Sequence, residues 1–295
     1  MQERSPFPDS IEELQEALSA HPYLADRGLA TALFLALSLG HPLLLEGEAG
    51  VGKTEVALAL SETFGLELIR LQCYEGLDVS QALYEWDYTR QLLYVRALEA
   101  EGKDSNEVTD EIFGERFLLE RPLLRALRAG NQAVLLIDEI DRADAEFEAF
   151  LLEFLSDYQV TIPEVGTICA EEPPIVILTS NRTRELHDAL KRRCMYHWID
   201  FPTRERELEI VMARAPEVSA DLAAKVTEAV ERLRGLGLMK NPGIGETIGW
   251  AQALAFLGIS GLDAESVEMT LGTVVKDRDD LQQVMNQLNR IIDDV

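Results

Sequence analysis

The sequence predicts an α/β domain built on a parallel sheet and followed by an all-helical domain. Three observations carry this. Residues 42–64 pass from an apolar stretch through a glycine-rich loop into an amphipathic segment, the order of a strand, a tight loop and a helix. Residues 133–137, Ala-Val-Leu-Leu-Ile, form a continuous apolar run ending in Asp138 and Glu139, as a strand buried on both faces does. Beyond Pro202 no strand signal appears, and five helical patterns follow one another. The expected division is therefore residues 1–202 and residues 203–295.

Length and composition bound what such a chain does. At 295 residues and 47% hydrophobic content it is long enough for one large core and a smaller second domain. Lys plus Arg number 27 against 53 Asp plus Glu, a net charge of −26, and both sides of Pro202 are acidic. A sequence-independent grip on nucleic acid needs clustered cations facing phosphates, so nucleic acid is not an expected partner. Cys73, Cys169 and Cys194 are far apart and lack metal-type spacing, which fits reduced thiols in the cytoplasm without a disulfide or zinc. Acidic residues follow the first six, unlike the basic and then apolar start of a signal peptide. Ser38, Gly40, His41 and Pro42 break the apolar stretch at 29–45, so a helix and a strand are expected there and no membrane span.

Taken in order, residues 10–20 read as a short helix with Ser10 as its cap and Glu13 three residues on. A loop at His21, Pro22 and Tyr23 leads into a second helix ending near Leu39. Residues 47–54 are Gly47, Glu48, Ala49, Gly50, Val51, Gly52, Lys53 and Thr54, which fit Gly, four residues, Gly-Lys-Ser/Thr. The glycines let backbone N–H groups turn inward around a polyphosphate, and the helix start adds partial positive charge. Lys53 then reaches the β and γ phosphates and Thr54 ligates Mg²⁺. A merely flexible turn is the bland alternative, and the strand before and helix after argue against it. In proteins with such a loop, the segment before the first strand often lies against the adenine; Tyr23 and Leu24 are candidates, with plain packing as the alternative.

Residues 66–73 suit a second buried strand. Tyr84, Trp86 and Tyr88 alternate, as in a hairpin or exposed ribbon, and are either partner-facing anchors or an aromatic edge packed on its own domain. Residues 100–112 read as a mobile charged loop, and residues 121–129 as a helix with Pro122 in its first turn and Gly130 at its end. At the end of the 133–137 strand, Asp138 sits where ligands bind in open α/β sheets and would hold Mg²⁺, while Glu139 would polarise an attacking water. Such a pair is also common as a solvated turn. Phe147, Phe150, Leu151, Phe154, Leu155 and Tyr158 mark the apolar face of a helix. Residues 159–168 look like a hairpin, and residues 174–178 like a strand ending in Thr179, Ser180 and Asn181. Asn181 at a strand end offers a carboxamide to a γ phosphate and the lytic water, or else serves as a turn residue. Lys191, Arg192 and Arg193 precede a last strand at 196–201; an arginine there reaches a nucleotide on a neighbouring subunit, or is a solvated basic turn. Helical patterns cover 203–214, 219–235, 244–257, 263–274 and 277–293.

In this order the motifs resemble an AAA+ ATPase of the MoxR type over nearly the whole chain. Within that group the closest likeness is to the accessory ATPases of carbon monoxide dehydrogenase and related molybdenum hydroxylases. It is carried by residues 135–144 (Leu-Leu-Ile-Asp-Glu-Ile-Asp-Arg-Ala-Asp), 146–166, 179–188 and 190–202. The resemblance implies a five-stranded parallel sheet in the order 5-1-4-3-2 with helices on both faces, a helical lid, and a ring, commonly a hexamer. It puts Lys53 and Thr54 on Walker A, Asp138 and Glu139 on Walker B, Asn181 on sensor 1, and Arg193, then Arg192, on the arginine finger. It makes the hairpin and the aromatic region ring or pore elements. It also implies ATP and Mg²⁺, a partner with a von Willebrand factor A domain, and a client metalloenzyme that is remodelled or loaded with metal. One departure stands out: residues 241–247 have no arginine where many relatives carry sensor 2, Lys240 being the nearest cation.

Three other functions compete. A nucleotide-gated scaffold with negligible hydrolysis gains weight from the missing sensor 2 arginine. A nucleic-acid motor is disfavoured by the charge. A phosphate-loop kinase leaves the Asp-Glu strand, the Asn strand and the lid without roles.

Overall fold

The computed structural model describes residues 7–101, 112–288 and 291. Its central sheet has five strands, β1 (Leu43–Gly47), β2 (Glu67–Gln72), β5 (Ala133–Asp138), β8 (Ile175–Ser180) and β9 (Met195–Ile199), side by side as β2-β5-β8-β1-β9. Counted along the chain as strands one to five, that is the expected order 5-1-4-3-2. β2 with β5, β5 with β8, and β8 with β1 all pair parallel. All six residues of β5 are buried, with Leu135 opposite Ile69 on one side and Val176 on the other. A strand covered on both faces must be apolar throughout, which is the physical origin of the run that predicted it.

The helices bounded within the described residues are α1 (Ile11–Ser19), α2 (Arg27–Leu39), α3 (Lys53–Phe64), α4 (Val79–Ala82), α5 (Tyr88–Glu101), α6 (Pro122–Ala129), α7 (Ala145–Asp157), α8 (Asp188–Lys191), α9 (Arg204–Arg214), α10 (Ala220–Arg234), α11 (Ile244–Phe256), α12 (Ala264–Thr270) and α13 (Arg278–Met285). Their starts follow from local chemistry. The Asp26 carboxylate accepts from Leu29 N–H at 2.7 Å to open α2, Asp144 accepts from Phe147 N–H at 2.9 Å to open α7, and Pro122 takes the first turn of α6.

The chain divides into two compact units. One comprises the chain before Leu18, Asp26–Glu46 and Val56–Trp198. Its core joins Leu135 and Ile137 of β5 to Leu123 and Leu127 of α6 and Phe147, Leu151 and Phe154 of α7. The other comprises Leu18–Ala25, Gly47–Glu55 and the chain from Ile199 on. Its core joins Val226, Val230 and Leu233 of α10 to Trp250 and Leu254 of α11, with Val267, Leu271 and Val284. The glycine loop thus groups with the C-terminal helices, a discontinuity that a linear reading of the chain does not reveal.

The expected hairpin after α7 is present as β6 (Gln159–Ile162) against β7 (Gly166–Cys169). The aromatic region differs from expectation. β3 (Tyr84–Trp86) pairs antiparallel with the distant β4 (Leu118–Glu120), and Tyr88 opens a helix instead of continuing a ribbon. Trp86 is buried edge-on against Phe113, whereas Tyr88 is 65% exposed, so core edge and exposed aromatic are both represented. The helix Tyr88–Glu101 lacks a clear apolar period in the sequence because Leu92 and Leu93 lie on its solvent side. Most of the loop expected at 100–112 falls outside the described residues, as does the end of the last helical pattern. No helix among the described residues is long and apolar enough to cross a membrane.

Two measurements test this packing. Burial, reinforced by the carboxylates of Asp138, Asp141 and Glu139, pushes the Cys73 thiol up to about 12, and burial pushes Cys194 to about 12. A thiol whose folded pKa is raised stays protonated and unreactive at mildly alkaline pH. Cys169 is exposed. A chromogenic disulfide should therefore find one fast thiol in the native chain and all three in denaturant; three fast native thiols would contradict the packing. In the helical unit, Trp250 is fully buried and its Nε1–H donates to Thr270 Oγ1 at 2.7 Å. Thr270→Val strands that donor and should cost about 1–3 kcal/mol, read as a lower urea midpoint; an unchanged midpoint would show the bond to be dispensable.

Candidate functional site

β1, β8 and β5 run parallel, so their carboxyl ends share one edge of the sheet, the edge where open α/β sheets bind ligands. Asp138 closes β5 there and is only 3% exposed, so its charge needs partners. Thr179 Oγ1 donates to its Oδ1 at 2.6 Å, and Arg70 Nη2 donates to its Oδ2 at 2.5 Å. The Thr179 hydroxyl also accepts from the Glu139 N–H at 2.9 Å, tying both members of the acidic pair to β8. Glu139 stands at φ +54°, in the left-handed region that a residue with a side chain seldom adopts. The strain swings its carboxylate onto neighbours from both flanking strands. Asn181 Nδ2 donates to Oε1 at 3.2 Å, Gln72 Nε2 donates to Oε2 at 3.1 Å, and Arg142 Nε lies 2.9 Å from Oε2. Asn181 and Glu139, singled out separately in the sequence, are thus in contact.

Sequence reasoning passed over the residues that hold this arrangement. Asp141 is 2% exposed and accepts from Asn181 N–H at 3.2 Å, Thr183 N–H at 2.8 Å and Thr183 Oγ1 at 2.7 Å. Glu148 is fully buried, accepts from His187 N–H at 2.9 Å and pairs with Arg184. Together they pin the loop from Asn181 to α8, whose Arg182 is a second non-glycine residue at positive φ, +55°. Asp141 was legible as the second aspartate of Asp-Glu-Ile-Asp. Gln72 and Arg70 carried no local signal, because β2 meets β5 only in the sheet.

In the other unit, the loop of residues 47–54 departs from β1 and starts α3 at Lys53. Gly50 and Gly52 stand at φ +81° and +94°; a Cβ on Gly52 would meet nothing within 4 Å, so glycine is needed there for conformation and not for space. Alternating backbone conformations of this kind can turn successive N–H groups toward one side, the geometry of concavities that bind anions, and the start of α3 follows at once. Lys53 is 6% exposed, and its ammonium donates to the carbonyls of Gly47 at 2.9 Å and Glu48 at 2.6 Å. The Thr54 hydroxyl in this unit and the Asp138 carboxylate in the other are each a hard oxygen donor, the chemistry Mg²⁺ prefers. Tyr23 and Leu24 are half-buried in the loop before α2.

The two arginines differ. Arg193 is anchored, with Nε donating to Ser156 Oγ at 2.8 Å and Nη1 to the Ala189 carbonyl at 3.1 Å. Arg192 caps the end of α8, is exposed, and its side chain has no hydrogen bond or ion pair among the described residues.

Comparison with known proteins agrees with this architecture. The model of the AAA domain, dynein-related subfamily, matches residues 42–194. Protein NorQ of Paracoccus denitrificans is 25% identical over 223 residues, 73% of each chain. The uncharacterized protein SAB1265c of Staphylococcus aureus is 29% identical over 179 residues, 58% of this chain, and the match spans 59% of that relative's length. The RuvB Holliday junction branch migration motor of Thermotoga maritima superposes with a TM-score of 0.49 at 18% identity, covering 94% of this chain and 75% of that one, too slight a likeness to carry an argument. With the family model covering more than half of its length, the chain belongs to the dynein-related AAA domain family, in keeping with the MoxR-type AAA+ pattern of its motifs.

Proposed function

We propose that the chain is a Mg²⁺-dependent ATPase that assembles into a ring, commonly of six subunits in the family it resembles, and uses hydrolysis to remodel or mature a client enzyme. The observation that carries this is the Glu139 carboxylate held against the Asn181 carboxamide at the carboxyl edge of the sheet, 3.2 Å apart. A carboxylate and an amide so placed can both hold a water that binds beside them, the carboxylate taking its proton. In this reading the backbone of residues 47–54 and the Lys53 ammonium bind the polyphosphate, and Thr54 and Asp138 supply oxygen ligands to Mg²⁺. Mg²⁺, when bound, offsets the charge that develops on the phosphates. Arg70 now donates to the Asp138 carboxylate and would have to release that oxygen for it to serve as a metal ligand. Charge on the departing phosphoryl group is met by Lys53 and by an arginine from the adjoining subunit, which makes assembly a condition of turnover.

A second reading, a nucleotide-gated scaffold that turns over only with a partner, is favoured by one observation. Glu139 has to leave both Gln72 and Arg142 before it is free to act on water. A partner that reshapes this edge would supply the release. For either reading the proposed setting is the cytoplasm, with a von Willebrand factor A domain protein and a metalloenzyme client, the type served by carbon monoxide dehydrogenase accessory ATPases. The net charge of −26 speaks against nucleic acid; DNA binding that weakens steeply with salt would reverse that judgement.

Glu139→Gln should retain ATP binding, lose hydrolysis by about a hundredfold or more, the range of a general base, and trap the assembled form. Normal phosphate release from that variant would misplace the water-activating role. The arginines are separable by their contacts. Arg193→Ala, or Arg192→Ala if that residue is the one that reaches the phosphate, should keep ATP binding and reduce turnover of the assembled protein by about a thousandfold. Because Arg193 is tethered to Ser156, Ser156→Ala should slow turnover only if Arg193 is the acting residue. Unchanged turnover in both arginine variants would refute a role for this pair.

A further inference from the structure

Residues 241–247 lack the arginine that the family resemblance leads one to expect, yet this stretch touches the phosphate loop directly, through its main chain. The Ile244 N–H donates to the Gly50 carbonyl at 2.9 Å. The approach leaves no room for a side chain: a Cβ on Gly243 would stand 2.6 Å from Gly50 Cα and 2.9 Å from its carbonyl oxygen, and a Cβ on Gly50 would stand 2.7 Å from Gly243 Cα. Beside it, Asn241 Nδ2 reaches Glu48 Oε2 at 3.4 Å.

The turn is itself held from behind. Arg234 Nε donates to the Pro242 carbonyl at 2.8 Å, and the rest of its guanidinium forks onto Glu207 at 2.6 and 2.8 Å. Glu207 is 1% exposed, and its Oε1 also accepts from Thr247 Oγ1 at 2.6 Å. Arg234 lies over the Phe201 ring, 4.3 Å from its centroid. A buried bidentate pair with its remaining valences used is a stiff anchor, and this one joins α9, α10 and the start of α11 to the turn at Pro242.

The contact has a consequence for the loop. In a trans peptide the carbonyl and the following N–H point in opposite directions, and the described chain has no cis peptide bond. Drawing the Gly50 carbonyl onto Ile244 therefore turns the Val51 N–H to the opposite side of that peptide. An N–H held in one direction loses less freedom when an anion binds, so a fixed loop binds more tightly than a loose one. We propose that residues 241–244 form a main-chain brace for the phosphate loop, with Arg234, Glu207 and Thr247 as its positioning residues. The brace couples the helical segment to polyphosphate binding without an arginine contact. It rests on the reading that residues 47–54 bind the phosphates of a nucleotide.

Ile244 is the first residue of α11, a position that accepts proline, and Gly243 before it is extended at φ −80°, ψ 176°, as a residue preceding proline must be. Ile244→Pro thus removes the one N–H that matters, while Ile244→Ala shortens the side chain and keeps it. Calorimetric titration of the full chain with ADP should show Ile244→Pro binding about tenfold more weakly than Ile244→Ala, with similar melting temperatures in the absence of nucleotide. Gly243→Ala, whose methyl group would push the turn off Gly50, should weaken ADP binding to a similar degree and decides the matter alone if the proline variant does not fold. Equal affinities for the two Ile244 variants, or Gly243→Ala binding as the unsubstituted chain does, would overturn the brace and leave the nucleotide reading standing. Failure of the unsubstituted chain to bind ADP would overturn both.

Discussion

A carboxylate at the end of a strand buried on both faces has to be met by partners, and the Asp138 pairings show how far that demand reaches. β5 carries no polar residue before Asp138, so the charge appears abruptly where the ladder ends. Thr179 from β8 and Arg70 from β2 close on its two oxygens, and the same Thr179 hydroxyl holds the Glu139 main chain. Neighbouring strands are thereby fixed at their carboxyl ends as well as along their ladders. Asn181, one step past the end of β8, is delivered to Glu139 by that alignment, and Asp141 keeps it there.

Strain is concentrated at the same edge. Among the described residues three non-glycines stand at positive φ, and two of them, Glu139 and Arg182, lie one residue past β5 and two past β8. Each costs on the order of 1–3 kcal/mol, offset by buried acceptors such as Asp141 and Glu148 that capture the N–H groups of the strained loop. The other unit solves a related problem with glycine: Gly50 and Gly52 take the conformations a phosphate loop needs, and Gly243 lets a second backbone close on the first.

Much of this was legible in the sequence because it is local. The glycine-rich loop, the apolar run before Asp138, the stripe from Phe147 to Tyr158, and Pro122 and Gly130 bounding α6 each follow from a few adjacent residues. What escaped notice depends on chain that meets only on folding. Arg70 and Gln72 look like ordinary polar residues alternating on a strand, and become partners of Asp138 and Glu139 through the register of β2 with β5. Tyr84 and Trp86 suggested a local ribbon, but their strand pairs with residues 118–120, far along the chain. The missing arginine at 241–247 was visible as an absence. That Gly243 and Ile244 lie against the loop could not be read from it, since two glycines in close contact leave no mark in composition or periodicity.

The most direct test of the proposed ATPase is its mass in solution, by light scattering with and without ATP and Mg²⁺, measured alongside phosphate release. Nucleotide-strengthened assembly accompanied by phosphate release is the predicted result. A chain that remains monomeric and releases no phosphate at any protein concentration tried, with ATP and Mg²⁺ in excess, would contradict it.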